Sequence, residues 1–259
     1  MRPHELIGAA IRGAGSGPAL VAFVTAGYPR RDGFRAQLSE IAAVADVVEI
    51  GVPFSDPMAD GMTIQRSSRV ALDQGVTLRW ILEELNTLPR LRAPLLLMSY
   101  LNPLLNFGYE KLAAASASAG VCGFIVPDLP LDESGELRAA LAPHGLALVQ
   151  MVTPVTPPAR RAQLCAASQG FVYAVTMTGT TGASTSLAPD LRDYLAQVRA
   201  EASVPVCAGF GIRTHGQVEA LRGAADGVIV GSALVELLER GESPRAYLAA
   251  LRGGASATN

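Results

Sequence analysis

Eight short apolar or β-branched runs alternate with amphipathic stretches of helical period along this chain, and no linker-like break interrupts them. Such alternation is the signature of a parallel sheet whose strands are joined by crossover helices. The runs are Ala19 to Thr25, Asp46 to Ile50, Pro94 to Met98, Cys122 to Val126, Leu146 to Met151, Phe171 to Val175, Val204 to Ala208 and Gly227 to Val230. Most are apolar throughout, which implies burial on both faces. Eight βα units in 259 residues match a single (β/α)8 TIM barrel of about 250 residues, one domain spanning residues 1–259. A large open doubly wound sheet would show the same count, so closure is an expectation.

The helical stretches between the runs are Gly33 to Val44, Thr63 to Asp73, Leu78 to Leu88, Tyr109 to Ala117, Ser134 to Ala142, Pro158 to Ala167, Leu187 to Glu201, Gly216 to Arg222 and Ala233 to Glu239. An extra helix, Pro3 to Arg12, precedes the first strand and is placed to plug the barrel floor. Ser243-Pro244-Arg245 provides a cap and a first-turn proline for a last helix, and the chain end from Gly253 is expected to fray. In a barrel, functional residues belong at strand C-terminal ends and in the loops that follow. Two such loops exceed structural need, Gly51 to Met62 after strand 2 and Thr176 to Ala188 after strand 6.

Bulk properties exclude several functions. Hydrophobic residues make up 49% and charged residues 17%, enough apolar material for a large core and too little charge for disorder. A net charge of -2 with scattered arginines argues against nucleic acid. Neither a membrane-length apolar run nor a signal-peptide pattern is present, so the expectation is a cytoplasmic protein. Cys122, Cys165 and Cys207 are odd in number and sit in apolar stretches, and His4, His144 and His215 lie far apart. Neither set has metal-ligand spacing, and no metal is assigned.

Glu49 interrupts the apolar run Val47-Val48-Glu49-Ile50-Gly51, where an ionised carboxylate is costly unless partnered or raised in pKa. An arginine partner at the barrel rim is one reading and a catalytic acid is the other. The following loop, Pro53 to Gly61, carries Asp56 and Asp60 beside turn-forming residues. A second acid folding over the barrel mouth towards Glu49 suits general acid and general base work. Glycine-rich loops follow three consecutive strands: Gly179-Thr180-Thr181-Gly182, Gly209-Phe210-Gly211, and Gly231-Ser232 at the start of a helix. Backbone N–H groups there can approach a phosphate, aided by the helix dipole. Lys111 is the only lysine and lies at a helix start, which argues against a Schiff-base aldolase. Carbon–carbon chemistry then rests on carboxylates and on a substrate that is its own electron sink.

These segments, in this order, resemble the tryptophan synthase alpha subunit family along nearly the whole chain. The resemblance is carried by Phe23-Val24-Thr25-Ala26-Gly27, Glu49-Ile50-Gly51-Val52-Pro53-Phe54-Ser55-Asp56-Pro57-Met58-Ala59-Asp60-Gly61, Asn102-Pro103, Pro127-Asp128-Leu129-Pro130, Gly209-Phe210-Gly211-Ile212 and Gly231-Ser232-Ala233. It implies retro-aldol cleavage of indole-3-glycerol phosphate to indole and glyceraldehyde 3-phosphate in tryptophan biosynthesis, with no cofactor. It implies that Glu49 protonates indole C3 and assists cleavage, and that Asp60 meets the indole N–H as positive charge develops. By position, Tyr173 and Thr181 match active-site residues, and Gly182, Gly211, Gly231 and Ser232 match the phosphate cradle. Phe23, Tyr100 and Phe210 fall where the family packs the indole ring, although Tyr100 and Phe210 fit plain barrel packing nearly as well.

The resemblance further implies a pyridoxal-phosphate-dependent beta subunit as partner in an alpha2beta2 heterotetramer, met through Pro53, Asp56 and Asn102. Two departures stand out. Met62 replaces a common proline after the Asp-Gly step, and Met177-Thr178 replace a common Arg-Ala in the sixth loop. They leave open a stand-alone, indole-releasing lyase of secondary metabolism, and a catalytically weak subunit that activates a beta-type partner.

Overall fold

The circle closes. In the computed structural model, which describes residues 1–15, 17–176, 189–209 and 211–253, eight parallel strands pair in chain order and the last returns to the first. They are β1 (Ala19–Thr25), β2 (Val47–Gly51), β3 (Leu95–Met98), β4 (Val121–Ile125), β5 (Ala147–Val152), β6 (Val172–Val175), β7 (Val206–Gly209) and β8 (Gly227–Val230). The closing register sets Ala19 beside Gly227 and Ala22 beside Val230. The open doubly wound alternative is thereby excluded.

The helices are α1 (Pro3–Arg12), α2 (Phe34–Ala42), α3 (Met62–Asp73), α4 (Leu78–Asn86), α5 (Leu101–Phe107), α6 (Tyr109–Ser118), α7 (Gly135–Leu141), α8 (Pro158–Ala167), α9 (Pro189–Glu201), α10 (His215–Ala220), α11 (Ser232–Glu239) and α12 (Pro244–Leu251). Most expected elements shift by a residue or two. Among the strands, β7 is displaced furthest, beginning at Val206 instead of Val204. α5 is an addition, because a short segment containing Pro103 reads as a turn. Pro103 is the third residue of that helix, inside the first turn where no intrahelical N–H is needed. The Ser243 side chain accepts from the Ala246 N–H, and Pro244 opens α12 as its sequence implies. The frayed end expected from Gly253 falls, beyond Gly253 itself, outside the described residues.

Side chains of a strand alternate between faces, and here the two faces enter two cores. Leu20, Ala22, Val24, Val48 and Ile50 pack outward beneath the helices. Val21, Val47, Leu96, Val149, Phe171 and Ile229 fill the lumen, with Ile7 and Ile11 of α1 closing the cluster from below. α1 is therefore the floor plug, and fully burying a side chain such as Ile7 contributes about 2 kcal/mol. Parallel strands leave N–H groups unpaired at their starts, and acids satisfy them: Asp46 accepts from Leu20 N–H and Asp226 from Val206 N–H, both at 2.8 Å. With Ile7 and Ile11 of α1 packed against its lower layer, the barrel lumen is closed from below.

Candidate active site

Period-two alternation places Glu49 on the lumen face with Val47, while Val48 and Ile50 face the helices. In register, Glu49 lies between Phe23 of β1 and Leu96 of β3. It is fully buried, and among the described residues neither carboxylate oxygen has a hydrogen-bond partner. The arginine partner that would have made it structural is absent among the described residues. Burial pushes its carboxyl up to about 8 from an ordinary 4.5, so at neutral pH it carries a proton. A buried acid holding its proton is in the form that general-acid chemistry requires.

Asp60 reaches the mouth from the loop after β2 and is braced on every side. Its carboxylate accepts from the Tyr100 hydroxyl at 3.0 Å, and that hydroxyl accepts in turn from the Ala59 N–H at 2.9 Å. The Asp60 carbonyl accepts from Gln65 Nε2 at 2.9 Å, and its N–H donates to the Pro57 carbonyl at 3.0 Å. Burial raises the Asp60 carboxyl above the usual range, and the Tyr100 hydrogen bond opposes that shift. The two acids thus differ in kind, one without polar partners in the lumen and one hydrogen-bonded at the rim.

Tyr173 is the third polar group at the mouth. Burial lifts its phenol well above the ordinary value, and the neighbouring Glu49, Asp60 and Cys207 charges lift it further. Glycines make room for the aromatics. A Cβ on Gly51 would stand 2.5 Å from the Phe23 ring, and one on Gly209 would stand 2.8 Å from the Tyr173 ring. Phe23 is buried over Gly51, and Tyr100 stacks on Phe54 with centroids 5.1 Å apart. Tyr100 therefore both packs at the mouth and holds Asp60, and only the packing was expected of it.

Across β1 from the acids, Gly231 caps α11 and Ser232 begins it, while Gly211 follows β7 with φ at +64°, a conformation that favours glycine. Thr181, Gly182, Phe210 and Met177 lie outside the described residues. Of the residues expected at a partner surface, Asp56 and Asn102 are exposed and Pro53 is buried. Met62 is the first residue of α3, so the helix begins there without the proline.

Sequence reading missed Gln65, Ser67 and Met98. Ser67 is buried and its hydroxyl bonds that of Thr25 at 2.6 Å, tying α3 to the end of β1. Its signal was available, a serine pair on the inner face of an amphipathic helix. Met98, Phe23, Asp60 and Tyr100 line a cavity of about 20 Å³, room for about one water. Larger hollows lie under the barrel near Leu6 and Arg90, about 860 Å³, and along Pro127 to Leu131, about 290 Å³. Neither touches Glu49 or Asp60.

Comparison with known proteins agrees with this geometry. Residues 12–255 match the family model described as tryptophan synthase alpha chain. Among similar sequences, the tryptophan synthase alpha chain of Nitratidesulfovibrio vulgaris (strain DP4) is 46% identical over 235 residues, covering 90% of this chain and 91% of that one. That of Chloroflexus aurantiacus is 45% identical over 225 residues, covering 86% and 85%. Among solved structures, Mycobacterium tuberculosis tryptophan synthase superposes with a TM-score of 0.87 at 35% identity, covering 97% of this chain and 98% of that one. The alpha subunit from Legionella pneumophila gives 0.87 at 29% identity, with 98% of both chains covered.

Proposed function

The chain belongs to the tryptophan synthase alpha chain family, carbon–carbon lyases of tryptophan biosynthesis that cleave indole-3-glycerol phosphate, and from that membership we propose that Glu49 and Asp60 divide the retro-aldol reaction between them. Protonated Glu49 delivers its proton to C3 of the indole ring, which turns the ring into an electron sink. Asp60, held by Tyr100, accepts the ring N–H as positive charge develops there. The glycerol C3′ hydroxyl then loses its proton to the Glu49 carboxylate. The bond from indole C3 to that carbon breaks, its electron pair restores the aromatic ring, and indole and glyceraldehyde 3-phosphate leave. Glu49 ends the cycle protonated, as it began.

The observation that carries this reading is the pairing of a buried, unpartnered Glu49 with a rim Asp60 fixed by a tyrosine. Phe23, Tyr100 and Phe210 would flank the ring beside Tyr173, with Thr181 at the closing loop. Gly182, Gly211, Gly231 and Ser232 would take the phosphate. Because the cavity is about 20 Å³, admitting an indole ring requires side chains such as Met98, or the loop around Phe54, to move. Residues 1–259 would act as one barrel domain.

The family works with a beta subunit. Here a pyridoxal-phosphate-dependent beta chain in an alpha2beta2 heterotetramer would dock on the rim carrying Asp56 and Asn102, with Pro53 setting the root of the loop. The exposed Met58, Met62 and Leu105 give that rim apolar area to bury. No described helix is long and apolar enough to cross a membrane, and a cytoplasmic location is part of the proposal. Indole release from indole-3-glycerol phosphate by the purified chain, with and without added beta chain, tests the reading. Indole is expected in both arms, faster with the partner. Equal rates would mark a stand-alone lyase, and no indole in either arm would overturn the activity.

A further inference from the structure

One side chain joins the two halves of the proposed site. Glu236 lies on α11, one turn beyond the Gly231–Ser232 opening. Its carboxylate accepts both arms of the Arg213 guanidinium, at 2.7 and 3.1 Å, and Arg213 sits two residues after Gly211 in the loop that follows β7. Oε1 of the same carboxylate also accepts from the Thr63 hydroxyl at 3.2 Å. Thr63 is the second residue of α3, three positions beyond Asp60.

Neighbouring contacts stiffen this arrangement. The Arg213 N–H donates to Gln217 Oε1 at 2.7 Å, and its carbonyl accepts from the Tyr247 hydroxyl at 3.2 Å. One turn along, Arg66 pairs with Glu239 at 2.6 Å and repeats the link between α3 and α11. At the start of α3, Ile64 packs against Phe23 and Val235, but no side chain caps the helix. Gly61 at the N-cap offers no side-chain cap, and Met62 follows it where a proline would have stiffened the turn. Gln65, in that first turn, is the residue that holds the Asp60 carbonyl. The ion pair with Arg213 is half-exposed, so it adds little to global stability, and its distinctive property is which loops it joins.

We propose that Glu236 is a positioning residue that couples phosphate binding to the pose of Asp60. An anion seated on the backbone of Gly211, Gly231 and Ser232 would fix the β7 loop and α11, and the chain Arg213–Glu236–Thr63 passes that fixation to the start of α3. This rests on the function proposed above, because it takes those loops as the phosphate site and Asp60 as the ligand of the indole nitrogen.

Coupling of this kind is measured as the factor by which one ligand changes the affinity of the other. Indole is titrated onto the full chain with and without saturating sn-glycerol 3-phosphate, for wild type, Thr63→Val and Thr63→Ser. In wild type, glycerol 3-phosphate is expected to tighten indole about fivefold or more. Thr63→Val should bring that factor below about twofold while leaving each ligand's own affinity within about twofold, and Thr63→Ser, which keeps the hydroxyl, should retain the coupling. An unchanged factor in Thr63→Val, or an equal loss in Thr63→Ser, would overturn the inference. Wild type that binds both ligands without coupling would overturn it alone, whereas wild type that binds neither would overturn the site reading with it.

Discussion

Replacing Glu49 with glutamine is expected to lower kcat for indole release by roughly 10²- to 10⁴-fold, the range that loss of a positioned proton donor and acceptor costs. Glutamine matches the protonated acid in shape and in lack of charge, so KM should move little. Among the described residues the change orphans no hydrogen-bond partner, because the carboxylate has none there. Steady-state assay of indole release checks both parameters. A variant that retained turnover would remove Glu49 from the proton path.

The same substitution is expected to stabilise the fold, with a sign set by the pKa. In the unfolded chain Glu49 ionises near its ordinary 4.5, whereas in the native barrel burial holds it at about 8. Between those values the native state keeps a proton that the unfolded chain has lost, so stability falls as pH rises through the window. At pH 7 the loss is on the order of 3 kcal/mol, and near pH 5 it is about 1 kcal/mol or less. Glutamine removes the pH-dependent part. Urea unfolding of the two proteins should therefore show a large gain for Glu49→Gln at pH 7 and a small one at pH 5. Equal gains at both would mean that the native carboxyl ionises normally. A catalytic acid stored without partners is a local instability retained for function.

How much of this was legible depended on the range of the contact. Glu49 announced itself locally, as one carboxylate in a run of apolar residues. The barrel was legible because apolar strands and helical crossovers repeat with fixed periods, although closure needed the pairing of β8 with β1. Asp60 was different: beside Gly61 it reads as a turn residue, and only family resemblance singled it out. The Tyr100 hydroxyl that holds it lies 40 positions away, and nothing in either segment encodes that meeting. Glu236 and Thr63 are 173 positions apart, and Glu236 reads as an ordinary charge on the outer face of an amphipathic helix. Contacts between loops at the barrel mouth follow from closure, so they emerge only once the circle is drawn.

The pH profile of kcat/KM for indole release reports the ionisations of the free enzyme and so tests the protonated Glu49 directly. Measured from about pH 5 to about pH 10, it should fall at high pH with a limb at about 8, where Glu49 loses the proton it must donate. On the acid side it should fall as Asp60 protonates, above the ordinary range for an aspartate because of burial. An alkaline limb near 8 is the predicted result. Activity that stays flat through pH 8 and beyond would contradict a reaction begun by the Glu49 proton.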